Sequence, residues 1–264
     1  MKLVILTILF AVGANSSWAK TEIKEFPADQ IKDFQIRNTS GKIEVAATKS
    51  AKAAVVAEKK KWGPKCTMKV THTEATGQLI VEVEDESWVL ENKCEVDFIV
   101  SLPEQVNQNL YSGSGSIEIV GTKGAVDIKS GSGDVEVRAE VTQLQVVSGS
   151  GKVDVDQILT NQARVKTGSG DIRLRLSPTS KGELFVHSGS GDIKIAYGAK
   201  PHGLLDIRTG SGDVDVTLPK GSSILSELIS GSGRIKNDFP NSRKANLKIT
   251  AKAGSGDLLI KTAR

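Results

Sequence analysis

The tripeptide Gly-Ser-Gly begins at Gly113, Gly131, Gly149, Gly168, Gly189, Gly210, Gly231 and Gly254, at intervals of 18, 18, 19, 21, 21, 21 and 23 residues. Eight copies at such a period mark a repeat architecture, in which each unit buries its apolar face against the next. The flanks repeat too. Three residues before the first glycine stand Leu110, Ile128, Val146, Val165, Val186, Ile207, Leu228 and Ala251, and four residues after it stand Ile117, Val135, Val153, Ile172, Ile193, Val214, Ile235 and Leu258. A second apolar residue follows two places on in seven of the eight copies. Polar residues fill the gaps, which is the period-two alternation of half-buried strands.

The phase of that alternation changes across the motif. Apolar positions lie an odd number of residues before the first glycine and an even number after it, which a flat strand cannot accommodate without a bulge or bend. Glycine adopts φ > 0 cheaply at such a place. Each motif, with its second glycine (Gly115, Gly133, Gly151, Gly170, Gly191, Gly212, Gly233 and Gly256), therefore reads as a structural corner. If the corners are hairpin loops the chain is an antiparallel meander; if they stack it is a solenoid. The recurrence of like residues at like positions favours stacking. The expected fold is all-β: a single-stranded, β-helix-like solenoid of about eight coils of 18–23 residues, ~4.8 Å apart and roughly 34 Å long, preceded by a small antiparallel strand region.

That region is less regular. The stretch FQIRNTSGKIEVAAT, ending at Thr48, reads as a worn first repeat, and the alternating runs near 66–73, 78–84 and 94–102 read as an antiparallel sheet. AKAAVVAEKKKW (51–62) is the one segment of helical composition, and its lysine run Lys59-Lys60-Lys61 reads as a solvated face. The N-terminal region (20–102) and the array (103–264) form one continuous domain. Ahead of both, Lys2, the apolar run Leu3 to Val12 and Ser17-Trp18-Ala19 make residues 1–19 a secretory signal peptide, so the mature chain begins at Lys20 with no transmembrane segment. Its formal charge is +4 − 1 = +3, Lys2 being lost, which is too weak a bias for a nucleic-acid partner. In an oxidising compartment the two cysteines, Cys66 and Cys94, are expected to form a disulfide.

From SLPE (101–104) through YSGSGSIEIVGTKGAVDIKSGSGDVEV and the later SGSGD units, the chain resembles the DUF4097 family of bacterial exported proteins described as adhesins, over about residues 35 to 263. The resemblance implies a stacked β-helix-like array behind an N-terminal strand region and a non-enzymatic protein of the cell envelope, in the periplasm or at the surface. It implies no catalytic residues.

The residues agree on the last point. Only His72, His187 and His202 are available as bases, no G-x-S-x-G elbow occurs, and no cofactor is called for. Aspartate follows the second glycine at Asp134, Asp171, Asp192, Asp213 and Asp257, but Ser116, Lys152 and Arg234 stand there in the other copies. Ca²⁺ in a calcium-stabilised array would be confined to the consecutive Asp171, Asp192 and Asp213; the alternative is that these carboxylates accept backbone N–H groups at the turn. The second corner of each repeat varies in length and carries Lys181, Lys200, His202, Lys220, Arg243 and Lys244, with Asp238 its one acid. This edge is a candidate site for anionic envelope lipids or glycans. The outward residues Tyr111, Val147, Phe185 and Ile229, set among lysines and arginines, are the candidate surface for an envelope protein.

Overall fold

A computed structural model of the chain describes residues 20–86, 94–158, 162–177 and 182–263. The signal-peptide reading of 1–19 and the candidate Lys181 lie outside the described residues. The N-terminal part contains β1 (Lys20–Pro27), β2 (Asp33–Ser40), β3 (Ile43–Thr48), β4 (Lys52–Lys61), β5 (Cys66–Thr73), β6 (Gln78–Asp85) and β7 (Glu95–Pro103), with one 3₁₀ turn at Ala28–Gln30. The Gly-Ser-Gly repeats then contribute strands in pairs, one on each side of the corner. These are β8 (Asn107–Ser114) and β9 (Ile117–Val120), β10 (Ala125–Ser132) and β11 (Val135–Arg138), β12 (Gln143–Ser150) and β13 (Val153–Ile158), and β14 (Gln162–Ser169) and β15 (Ile172–Leu176). They continue as β16 (Gly182–Ser190) and β17 (Ile193–Tyr197), β18 (Gly203–Ser211) and β19 (Val214–Leu218), β20 (Ile224–Ser232) and β21 (Ile235–Asn237), and β22 (Leu247–Ser255) and β23 (Leu258–Thr262).

The strands before the corners form one sheet, β20-β22-β18-β16-β14-β12-β10-β8-β2-β6-β5, and those after them form the other, β1-β4-β7-β3-β9-β11-β13-β15-β17-β19-β23-β21. We call these the front and back sheets. Pairing between successive coils is parallel and in register, Ile128 opposite Leu110 and Val146, Val135 opposite Ile117 and Val153. The inward rows, such as Val126, Ile128, Val135 and Val137, are buried and close on one another as a single core. The fold is thus the expected β-solenoid.

Among the described residues it contains ten parallel coils, two more than the Gly-Ser-Gly motifs mark. The worn repeat, β2 and β3, stacks directly on β8 and β9. β6 and β7 supply one further coil, pairing parallel with β2 and β3. Nine steps of ~4.8 Å make the rod roughly 43 Å long. The expectation of one antiparallel sheet over 66–102 is corrected: β5 and β6 form an antiparallel hairpin in the front sheet, but β7 belongs to the back sheet. The helical composition of 51–62 also misleads, since Ala53, Val55 and Ala57 alternate inward and the segment is β4, antiparallel to β7 and β1. Nor is its lysine run a simple solvated face. Lys59 is buried against Glu22 (2.6 Å) and Trp62, Lys60 pairs with Glu58, and Lys61 with Glu95. These antiparallel strands close the N-terminal end.

At the other end the last two coils exchange places. β22 and β23 lie next to β18 and β19, and β20 and β21 form the terminal coil although they come earlier in the chain. The inward residues explain the order. The last repeat turns Leu247, Ile249, Leu258 and Ile260 to the core, whereas the one before it has Ser226 and Asn237 at inward positions. Sandwiched between coils these polar groups would be desolvated. At the end they meet Asn241, whose side chain accepts from Ser226 N (2.8 Å) and donates to Ser226 O (3.1 Å), taking the place of a further strand.

Both glycines of each corner are required by the stacking, for different reasons. The first is extended, but a Cβ on Gly131 would lie 2.5 Å from the carbonyl oxygen of Gly113 in the coil below, and the other first glycines make the same approach. The second has positive φ, +125° at Gly133, and there a Cβ would meet Gly115 O at 2.4 Å.

The cysteines form the expected disulfide, with Cα atoms 5.6 Å apart, joining the start of β5 to the residue before β7 and so tying the two sheets together at the capped end. Three variants check these assignments by their stability. Gly133→Ala is expected to lower unfolding stability by ~2–4 kcal/mol, from overpacking and backbone strain together. Gly121→Ala, with positive φ but only Ala47 Cβ nearby at 3.3 Å, tests the strain alone and is expected to cost about 1 kcal/mol in the same urea titration. Replacing both cysteines by serine is expected to cost ~3–4 kcal/mol, the chain-entropy value for a bridge spanning 28 residues.

Candidate interaction surface

The residue before the first glycine points inward. Asn38, Ser112, Ser130, Ser148, Thr167, Ser188 and Thr209 form a buried polar row inside the corner. Several donate to corner carbonyls: Ser112 Oγ to Gly115 O (3.3 Å), Ser230 Oγ to Gly256 O (2.9 Å), and Ser148 Oγ to Ser150 O (3.0 Å), which also accepts the backbone N–H of Gly133 (3.2 Å). This row was not distinguished from the sequence, because in Ser-Gly-Ser-Gly the two serines look alike. The signal that separates them is parity: the first serine continues the inward positions three and five residues before the glycine.

The aspartates after the second glycine form a ladder of their own. Asp134 Oδ1 accepts the backbone N–H of Lys152 (2.8 Å), Asp171 that of Asp192 (2.9 Å), Asp192 that of Asp213 (2.9 Å), Asp213 that of Asp257 (2.8 Å) and Asp257 that of Arg234 (2.8 Å). Each carboxylate holds the equivalent residue of the next coil, which explains why Lys152 and Arg234 are tolerated in the row: as donors they need only their backbone. The candidate calcium ligands Asp171, Asp192 and Asp213 each spend one oxygen in this way. At the terminal coil the Arg234 side chain adds Nη2–Oδ2 and Nε–Oδ2 contacts of 2.7 and 3.0 Å to Asp257. The backbone N–H of Arg234, then its guanidinium, hold the Asp257 carboxyl below its usual range.

The two outward faces differ in their charge arrangement. On the back sheet most charges are matched within a coil or between adjacent ones, although Lys194 has no carboxylate partner among the described residues: Arg138 pairs with Glu118 (3.2 Å) and Glu136, Asp154 receives Lys152 (3.0 Å), Arg175 (3.2 Å) and Arg173 (3.6 Å), and Lys261 reaches Asp215 (2.6 Å). On the front sheet the row two residues before the first glycine runs, in register, Arg37, Tyr111, Lys129, Val147, Lys166, His187, Arg208, Lys252, Ile229. Arg208 is paired with Asp206 on its own strand (3.1 Å). Among the described residues Arg37, Lys129, Lys166 and Lys252 have no carboxylate partner, and all four are exposed. Phe185, expected in this row, stands in the next one and packs under the Arg164 guanidinium (5.4 Å). Tyr111, Val147 and Ile229 are 47%, 38% and 48% exposed.

The variable edge is where the sequence placed it. Lys200, His202, Lys220, Arg243 and Lys244 are all exposed in connections between the back and front sheets. The edge is less uniformly basic than the repeats alone indicate, because Glu104 and Glu140 of earlier connections share it; Glu104 pairs with Lys123 (3.0 Å), whose ammonium lowers the Glu104 pKa.

The DUF4097 Toastrack family matches over residues 31–264. The chain belongs to that family. No curated protein matches it. Among solved structures it is similar to a "putative adhesin" from Parabacteroides merdae, with 12% identity, 93% of this chain and 97% of that one covered, and a TM-score of 0.58. Two Parabacteroides distasonis proteins are also similar: a "putative adhesin" (11% identity, 91% and 97% covered, TM-score 0.54) and a "putative lipid binding protein" (16% identity, 92% and 97% covered, TM-score 0.51). At these identities the likeness establishes the shared fold.

The Asp257 contact gives a pH test. Folding lowers this pKa, so its stabilisation is in place above the usual carboxylate range and is lost as the pH falls through the lowered value. Arg234→Gln is expected to melt at a lower temperature than the native chain at neutral pH, and the gap to close as both are taken into acid. A gap that stays constant would refute the assignment.

Proposed function

We propose that this DUF4097 chain is an exported, non-enzymatic interaction module of the bacterial cell envelope, and that it recognises its partner with the outward face of the front sheet. One observation carries the reading: most charges of the back face are paired, while the front face holds four unpaired cations and the exposed Tyr111, Val147 and Ile229 in one straight row. Exposed charge that stabilises nothing within the molecule is available to a partner, and apolar side chains between the charges supply the area to be desolvated. Repetition also speaks against catalysis, since the motif that recurs in every coil is accounted for by stacking. The similar structures described as adhesins support an interaction role by analogy of fold. The exposed lysines of the variable edge, together with the similar structure described as lipid binding, support contact with anionic lipid headgroups as a second reading.

Adsorption of the purified protein to isolated bacterial envelopes separates the two. Reversal of Lys129, Lys166 and Lys252 to glutamate is expected to reduce adsorption at least about tenfold at ~0.1 M salt, while reversal of Lys200, Lys220 and Lys244 leaves it within about twofold. The opposite pattern would move the site to the variable edge.

A further inference from the structure

Beside the cation row of the front sheet lies a strip without side chains. The first glycines of successive coils stack there, and next to them the serines between the two glycines form an outward row, Ser132 opposite Ser114 and Ser150, Ser190 opposite Ser169 and Ser211. These serines are exposed, and among the described residues their hydroxyls have no hydrogen-bond partner within the protein. The corner explains the glycines and the buried serines; it does not call for an outward hydroxyl in every coil. Three rows thus run side by side along the rod: one rich in ammonium and guanidinium groups, one of glycines without side chains, and one of hydroxyls. On the far side of the cation row, over the first coils, the surface is rich in planar amides. Gln35, Asn109, Gln143 and Gln145, with the carboxylates Asp33 and Asp127 among them, line a shallow groove of about 370 Å³, and Tyr111, two residues beyond Asn109 on the same strand, is 47% exposed.

We propose that this face binds an extended acidic polysaccharide lying along the rod axis, with one sugar to each coil. The proposal rests on the reading of the front face as the recognition surface and names its ligand class. The repeat of the site is the ~4.8 Å spacing of the strands. A chain carrying a carboxylate on every sugar presents anions at a comparable spacing, so those that face the row meet Arg37, Lys129, Lys166, Arg208 and Lys252 in register, with Tyr111, Val147 and His187 between them. Sugar hydroxyls donate to and accept from serine and carboxamide groups, which offer both functions, and the apolar face of a pyranose packs on an aromatic ring such as Tyr111. The glycine row lets the chain approach the backbone. Lys166, His187, Arg208 and Lys252 occupy four adjacent coils of the cation row, Arg208 being shared with Asp206 (3.1 Å). A polymer of charge alone would use this row and have no need of the amides, the tyrosine or the serine row.

Calorimetry on the purified protein tests this with three probes of roughly eight units, one per coil at ~4.8 Å: oligogalacturonate, its fully methyl-esterified and therefore neutral counterpart, and inorganic polyphosphate. Oligogalacturonate is expected to bind, and the ester at least about tenfold more weakly. Lys166→Glu with Lys252→Glu, and separately Ser190→Ala with Ser211→Ala, are expected to weaken oligogalacturonate binding while melting within a few degrees of the native chain. Equal binding of polyphosphate and oligogalacturonate, or indifference to the serine changes, would overturn the polysaccharide and leave the front face as a site for charge alone. Absence of binding by every probe would also overturn it; the front-face reading would then stand or fall with envelope adsorption. Retention of oligogalacturonate binding by the lysine double variant would overturn both.

Discussion

The close approach of one corner to the next governs this molecule. With the carbonyl of one first glycine about 2.5 Å from where a Cβ would sit on the next, the coils stack at this edge through backbone alone. That contact sets a common register for both sheets, and each in-register row then becomes a continuous strip of one chemical kind: apolar inside, hydroxyl at the inner corner, carboxylate at the turn, and cation or glycine outside. A shift by one residue would place the Val and Ile rows in water and the lysines in the core. The ladder from each Asp carboxylate to the next coil's backbone N–H reinforces the same register.

Much of this was legible in the chain. Period, parity change and recurrent residue types were enough to read a stacked solenoid with glycine corners, and the echo of Ser40-Gly41-Lys42 in Ser150-Gly151-Lys152 identified the worn coil. The coil built from β6 and β7 was hidden because it lacks the motif: no Gly-Ser-Gly stands between the two strands. β4 was hidden because alanine and lysine favour helices in isolation, whereas its burial on alternate residues against β7 overrides that preference. The exchanged coils were foreshadowed by Asn237, the one residue of its row that is not apolar, but a single polar position acquires that meaning only when its neighbours in space are known.

The candidate surface was less legible, for a related reason. A row of lysines is visible in the repeats, yet whether it is free depends on which carboxylates stand beside it across coils. Lys152, Arg173 and Arg175 converge on Asp154, although they come from two coils, while Lys166 and Lys252 find no such partner. Spacing reports position along one strand; neutralisation happens between strands.

The threading of the last two coils gives the rod an unusual dependence on its own C-terminal residues. In a solenoid stacked in chain order, a chain stopped one repeat early is a shorter rod with an intact end. Here a chain stopped before Leu247 lacks an interior layer, so β20 and β21 face β18 and β19 across a gap one coil thick, with Ser226 and Asn237 turned toward it. The terminal coil thus has its proper seat only once β22 and β23 have been inserted beneath it, so its packing depends on residues that follow it in the chain.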